Sequence, residues 1–229
     1  MPRFFAEIID SQHAIIAGRD ARHISGPLRM KAGDEILIRD TIQGYRARIR
    51  SVSMHEIQVA VLEPDELKNR TDRIVRLALS LIDPKDMETA IRLAAELGVA
   101  EIQPVIAARS NIRSVTQKRY ARWNDIILEA VKQSQRRTVP AVYPPQSLED
   151  FALESQVAPG WNLMACQDAA CSLRDVLHHD VRILIGPEGG FTESELSLLE
   201  QHTFKPVNLG GTTLRSVTAA ITVAAVLGL

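Results

Sequence analysis

The stretch VRILIGPEGGFTESELSLLE, Val181 to Glu200, runs from apolar residues through a glycine-rich turn into a helical pattern. Val181–Ile185 is short, apolar and bounded by a turn, so it reads as a buried parallel strand. Thr192, followed three residues on by Glu195, is a capping box that opens the helix. In open α/β sheets ligands sit beyond the carboxyl ends of the strands, where this turn stands. Its chemistry narrows the ligand. No Gly-Lys-Ser/Thr triplet follows, and GPEGGF lacks the G-x-G-x-x-G spacing of a dinucleotide loop. Glu188 at its mouth repels phosphate but tolerates a cation, a hydroxyl or an amine.

A second turn repeats the plan. PVNLGGTTLRSVTAAITVAAVLGL, Pro206 to Leu229, again reads strand, glycine pair (Gly210 and Gly211), helix. That helix is apolar all round and rich in small residues, so it requires cover on every side, from its own domain or from a second subunit. Two such turns together line a pocket of backbone groups and apolar walls, suited to an adenine with a sugar.

Working outward, RIVRLALSLI (73–82) is a strand, and DPKDMETAIRLAAELG opens on Asp83 as N-cap with Pro84 in the first turn and stops at Gly98. Met87, Ile91, Ala94 and Ala95 recur at helical spacing, and VAEIQPV (99–105) is the next strand. Strand, amphipathic helix, strand is a βαβ unit with a parallel sheet. A basic helix over about 117–137 follows, with Trp123, Ile126, Ile127, Ala130 and Val131 on its apolar side, and strands are expected at 139–143, 161–166, 181–185 and 205–209. The first 66 residues differ: short strands at 34–40, 44–52 and 56–63 suggest a small β-barrel. Arg46, Arg48 and Arg50 alternate with Ala47 and Ile49, which predicts one basic outer face with the segment's acids elsewhere.

The net charge of −1 hides a segregation: residues 105–140 hold eight Lys/Arg and two Asp/Glu, and residues 141–229 hold four and ten. A locally basic region is a plausible polyanion surface despite the neutral total. No run is long enough for a membrane span, and the N-terminus lacks the pattern of a signal peptide. Cys166 and Cys171 form no ligand pattern, and His23, His55, His178 and His179 form no constellation, so no metal is expected.

LIGPEGGFTESEL, LGGTTLRSVTAAI, AAELGVAEIQPV, KQSQRRTVP and RHISGPLRMKAGDEI occur in the order in which the RsmE-type 16S ribosomal RNA uridine-N3-methyltransferases carry them, and the chain resembles that family nearly throughout. The resemblance, to a family of the SPOUT superfamily, implies an α/β fold: a PUA-like, RNA-binding β-barrel over 1–67 and a trefoil-knotted methyltransferase domain over 71–229. It implies S-adenosylmethionine (S-adenosyl-L-methionine) as cofactor, a homodimer, a cytoplasmic setting, and methylation of N3 of a uridine in 16S ribosomal RNA, within the small subunit. Two alternatives stay open: another target, in large-subunit or transfer RNA, or a non-catalytic RNA-binding relative.

Position by position, the resemblance assigns the cofactor to Leu163, Met164, Ala165 and Cys166 at one strand end. It adds Ile185, Gly186, Pro187, Glu188, Gly189 and Gly190 in the first turn, and Leu209, Gly210, Gly211, Thr212, Thr213, Leu214 and Arg215, with Thr218 and Ala219, around the second. Arg215 is expected to stabilise charge as the uridine N3 proton leaves, with Glu188 a second catalytic candidate that faces the cation. Arg3, Arg29, Arg46 and Arg48, with Arg109, Arg113, Arg136 and Arg137, are the RNA-contact candidates, mainly to phosphates. The chain departs from the family pattern at Val217, where an acid usually stands, at Lys132-Gln133-Ser134, and at Gly26-Pro27-Leu28-Arg29.

Overall fold

The computed structural model describes residues 1–40, 43–65, 73–134, 136, 138–155, 161–176 and 180–228. It divides into two compact units, 1–69 with 131–139, and 70–130 with 140–229. The boundary expected between 67 and 71 lies outside the described residues.

In the first unit, β1 (Arg3–Phe5), β2 (Glu7–Ile8), β3 (His13–Ala17), α1 (Gly18–Ser25), β4 (Glu35–Arg39), β5 (Gly44–Val52) and β6 (Glu56–Pro64) follow in order. The strands form one sheet, β1-β4-β5-β6-β3-β2, antiparallel except for β1 on β4. Alternation places Ile36, Ile38, Ala47, Ile49, Ile57 and Val59 on one face, where they pack with Phe4, Ile16 and the α1 residues Ala21 and Ile24. Helix α1 carries no side-chain cap and begins at a left-handed glycine, Gly18, which is why no start signal marks it in the sequence.

The expected basic face is corrected by the register. β4 sets Glu35 opposite Arg48, and β6 sets Glu63 opposite Arg46. Glu35 accepts from both Arg46 and Arg48 at 2.8 Å, and Arg46 also reaches Glu63 at 2.6 Å. The acids stand on the neighbouring strands, not elsewhere. Cross-strand pairing of opposite charges is a favourable arrangement in a sheet. The guanidinium of Arg48, then that of Arg46, holds the Glu35 carboxyl below its ordinary range. A depressed carboxyl stabilises the fold above its unfolded pKa, near 4.5, and loses that contribution as pH falls through its lower folded value. Acid unfolding of Glu35→Gln, followed by circular dichroism, is therefore expected to show a shallower loss of stability below about pH 4.5 than the parent.

Arg39 is buried, with 1% of its surface exposed. It donates from Nε to the Asp40 carbonyl at 3.0 Å and from Nη1 to the Arg136 carbonyl, and it lies 5.1 Å from the Phe5 ring centre. Burial, with the nearby positive charge of Arg3, brings its pKa down to about 10, still above neutrality.

The second unit holds β7 (Ile74–Ser80), α2 (Pro84–Glu96), β8 (Glu101–Ile106), α3 (Gln117–Ser134, its end in the first unit), β9 (Ala141–Val142), β10 (Gln146–Ser147) and α4 (Leu148–Ser155). β11 (Trp161–Ala165), a 3-10 turn (Leu173–Asp175), β12 (Asp180–Ile185), α5 (Glu193–Gln201), β13 (Lys205–Val207) and α6 (Ser216–Gly228) complete it. All seven strands are parallel, in the order β10-β8-β7-β12-β11-β13 with β9 beside β8. Helices α2 and α6 pack on each other, and α6 lies on β7 and β12. Phe151 of α4, Leu199 of α5 and Phe204 join the sheet residues Ala78, Val105, Met164 and Leu184 in another core cluster.

Helix α2 has the predicted start, with Asp83 Oδ1 accepting from Lys85 N at 2.9 Å and Pro84 in the first turn. Helix α6 buries Ala219, Ala220, Val223, Ala224 and Leu227 within its own unit while Val226 stays 40% exposed. Burial on every side is thus not achieved within this unit. Among the described residues no helix is long and apolar enough to cross a membrane.

Candidate functional site

The sheet order brings the two glycine turns together. β12 and β13 flank β11, with Met164 paired to Leu184 on one side and Pro206 on the other. The chain leaves β12 through Gly186–Gly190 and leaves β13 through Leu209–Arg215, so both turns close over the carboxyl end of β11. A cleft of ≈ 290 Å³ opens there. This is the sheet edge where ligands of open α/β folds bind.

Its walls are apolar: Ile185, Phe191, Leu196, Leu209, Leu214 and Ala219. Among the described residues, Glu188 is the one charged side chain in the lining, and it is exposed. The glycines keep the floor open. Gly210, at φ +137, has nothing within 4 Å of where a Cβ would stand, and Gly190, at φ +66, likewise. A Cβ on Gly186 would stand 3.1 Å from the Phe191 ring, so this glycine lets the ring close the turn. Thr213 Oγ1 donates to Gln167 Oε1 at 2.6 Å, which ties the second turn to the chain leaving β11. Apolar walls, one carboxylate and no lining cation suit an adenosine carrying a positive charge and disfavour a polyphosphate.

Of the residues assigned to the cofactor, Ala165, Cys166, Ile185, Gly186, Pro187, Glu188, Gly190, Leu209, Gly210, Thr212, Thr213, Leu214 and Ala219 line the cleft. Leu163 and Met164 do not: they are strand residues buried to 1% and 2% exposure within the sheet. Gly189 faces away, with its carbonyl accepting from Arg109 Nη1 at 2.9 Å. Thr218 is exposed on α6. Sequence reasoning did not single out Gln167, Phe191, Leu196 and Ser216, which complete the lining. Phe191 adjoins Gly190 and Ser216 adjoins Arg215, both already singled out, which was the available signal.

Arg215 stands between two lining residues, Leu214 and Ser216, directly before α6. It is exposed, and its guanidinium has no hydrogen bond or ion pair with a described residue. The first turn of α6 carries no acid. A free guanidinium beside a helix N-terminus makes this rim locally positive.

The RNA-contact candidates are mostly engaged. Arg3 pairs with Asp65 at 3.0 Å and is 12% exposed, and Arg46 and Arg48 share Glu35. Arg109 turns onto the carbonyls of Gly189 and Phe191, and Arg113 onto that of Ala108. Arg136 is half-buried, and burial beside Arg39 brings its pKa down to about 10. Arg29 is exposed in a left-handed backbone (φ +48). Arg137 lies outside the described residues.

A larger cavity, ≈ 470 Å³, lies elsewhere in the same unit. Its cations are engaged, Arg76 with Glu101 and Asp180, and Arg182 with Asn162. Strand residues Arg76, Glu101 and Arg182 place it toward the amino ends of β7, β8 and β12, opposite the glycine turns.

Comparison with known proteins agrees with this geometry. The model of the RNA methyltransferase domain family matches residues 69–228. A protein of Mesomycoplasma hyopneumoniae named ribosomal RNA small subunit methyltransferase E is 30% identical over 226 residues, 96% of each chain. One of the same name from Synechocystis sp. is 31% identical over 84% of this chain and 65% of its own length. The crystal structure of a ribosomal RNA small subunit methyltransferase E from Neisseria gonorrhoeae, bound to S-adenosyl methionine, superposes with a TM-score of 0.83 at 30% identity, covering 98% of this chain and 95% of that one.

Proposed function

Since the chain belongs to the RsmE-type family of RNA methyltransferases, we propose that it transfers a methyl group from S-adenosylmethionine to N3 of a uridine in small-subunit (16S) ribosomal RNA. The observation that carries this reading is the cleft formed by the two glycine turns: largely apolar, without a lining cation among the described residues, bordered by one carboxylate, and rimmed by an arginine that no described residue takes up. A nucleoside cation fits such a donor set, and a phosphorylated cofactor does not.

Ala165, Ile185, Leu209, Leu214 and Ala219 hold the adenine and sugar by apolar contact, and Glu188 faces the positive charge. When bound, S-adenosylmethionine supplies an electrophilic methyl group. Transfer to uridine N3 requires the N3 proton to leave, and the negative charge spreads to the flanking ring oxygens. Arg215 is placed to donate to those oxygens as the charge develops. The target base must stand clear of a helix to reach the cleft, so a single-stranded or splayed-out uridine is the form recognised. Arg29, exposed, adds a phosphate contact, while Arg46 and Arg48 reach phosphate only by leaving Glu35, and Arg113 by leaving the Ala108 carbonyl; such contacts position RNA without reading its sequence.

The reading extends to architecture. The first unit corresponds to a PUA-like barrel, the glycine turns to the loops of a trefoil knot, and the half-covered α6, with Val226 exposed, to part of a homodimer contact in a cytoplasmic enzyme. The assay is transfer of labelled methyl from S-adenosylmethionine to small-subunit RNA, free and in assembled subunits, followed by nucleoside analysis. The expected product is 3-methyluridine, formed in small-subunit RNA. Label in large-subunit or transfer RNA alone would reassign the target. Cofactor binding without transfer to any RNA would identify a non-catalytic relative, with Val217→Glu the first reversion.

A further inference from the structure

A feature behind the first glycine turn goes unused by that reading. The segment leaving β8 folds into a tight turn at Ala107–Ser110, where Ser110 N donates to the Ala107 carbonyl at 3.0 Å. It is fastened to the glycine turn by two side chains acting in opposite directions. From the β8 side, Arg109 Nη1 donates to the carbonyls of Gly189, at 2.9 Å, and Phe191, at 3.2 Å. From the α5 side, Glu195 reaches back, and its Oε1 accepts from Ala108 N at 2.6 Å.

The other oxygen of Glu195 closes the capping box, accepting from Thr192 N at 2.8 Å. Glu195 is thus a buried carboxylate, 9% exposed, each of whose oxygens holds a different loop. Such a group is costly to bury unless satisfied, and here both loops are needed to satisfy it. The glycine is part of the joint: a Cβ on Gly189 would stand 3.2 Å from Arg109 Cβ, so a side chain there would push the arginine stem back by a few tenths of an ångström.

We propose that Arg109 and Glu195 are positioning residues for the cofactor: together they clamp the 107–110 turn against the glycine turn and set the cleft wall formed by Gly186–Phe191. Neither lines the cleft, so each acts through the backbone it holds. The fastening serves the wall rather than the fold at large, because it joins two loops and leaves the sheet pairs of β7, β8 and β12 untouched. The same turn carries Ala108, whose carbonyl accepts from Arg113, so the clamp also orders the start of the segment that leads into α3. The proposal rests on the cofactor reading of the cleft.

Calorimetric titration of S-adenosylmethionine into the parent protein, Arg109→Ala, Arg109→Lys, Glu195→Gln and the double variant Arg109→Ala/Glu195→Gln tests it, with far-UV circular dichroism to verify folding. Loss of either clasp is expected to raise the cofactor dissociation constant about tenfold, from displacement of a wall by a fraction of an ångström. Arg109→Lys, which keeps a cationic donor group but loses the planar fork, should fall between Arg109→Ala and the parent. The double variant should weaken binding by much less than the product of the single effects, because both side chains hold one joint. The KM for cofactor should rise with kcat at saturation nearly kept, a split that general destabilisation does not produce. Parent-like affinity in folded Arg109→Ala and Glu195→Gln, or fully multiplicative effects, would overturn the clamp while leaving the cofactor reading intact. Failure of the parent protein itself to bind S-adenosylmethionine would overturn both.

Discussion

Arg215→Ala is expected to slow methyl transfer by about 10²–10³-fold at saturating RNA and cofactor, with cofactor affinity changed by less than about twofold. The uridine ring is neutral before reaction and carries negative charge as its N3 proton leaves. A donor aimed at the ring oxygens therefore binds the transition state more strongly than the ground state, which is the condition for raising kcat. Arg215 meets the structural requirements for that role. It stands at the rim of the cleft between Leu214 and Ser216, its guanidinium is not taken up by a described residue, and α6 opens beside it without an acid in its first turn. The helix dipole and the guanidinium then act on the same developing charge. Single-turnover kinetics with S-adenosylmethionine in excess give the step directly. Arg215→Lys should recover part of the rate, since it keeps the charge and loses the planar fork. An unchanged single-turnover rate in Arg215→Ala would make the residue an ordinary surface cation and move the search for charge stabilisation to the first glycine turn.

Valine at position 217 bears on the same chemistry. An acid there would stand in the first turn of α6, close to the arginine and opposing its charge. Val217 is half-buried and leaves the positive end of the helix unneutralised. The loss of the acid therefore leaves in place the arginine proposed to stabilise negative charge.

What the sequence made legible was local. The 44–52 strand, the Asp83–Pro84 helix start and the Thr192–Glu195 capping box all depend on residues within a few positions of one another, and each has the bounds its chemistry dictates. The convergence of the two glycine turns was readable only as an expectation. It depends on β13 skipping past β12 to the far side of β11, and no periodicity encodes strand order. Register was hidden in the same way. A period of two places Arg46 and Arg48 on one face, but the identity of their neighbours, Glu35 and Glu63, is set by where β4 and β6 come to rest. Arg109 shows the cost of this most clearly. In the sequence it is one of eight bases in a basic stretch and reads as a phosphate contact, whereas its donors face two carbonyls of a turn some 80 residues away. Glu195 was legible as a cap and illegible as a clasp, because its second oxygen serves a distant loop.

The other large effect concerns the far end of α6. Gly98 follows α2 at φ +103, and a Cβ there would fall 2.1 Å from the carbonyl oxygen of Gly228. From the other side, a Cβ on Gly228 would fall 2.2 Å from the carbonyl oxygen of Leu97. Two helix ends are therefore packed backbone to backbone, and neither tolerates a methyl group without moving. Gly98→Ala combines a left-handed backbone with this overlap and is expected to destabilise by about 2–5 kcal/mol. For a unit of this size the melting temperature should fall by roughly 5–15 °C in thermal unfolding followed by circular dichroism. Gly228→Ala is the sharper test. Alanine is a better helix former than glycine by about 1 kcal/mol, so propensity alone predicts stabilisation. The overlap predicts the opposite sign, and a higher melting temperature for Gly228→Ala would show that the two helix ends are not in contact in solution. The consequence extends to function through the rigidity of α6, about 20 Å long, whose first residues Ser216 and Ala219 are walls of the cleft. Pushing its last turn away from α2 shifts those walls, so folded Gly98→Ala should bind S-adenosylmethionine more weakly than the parent although the substitution lies at the opposite end of the helix.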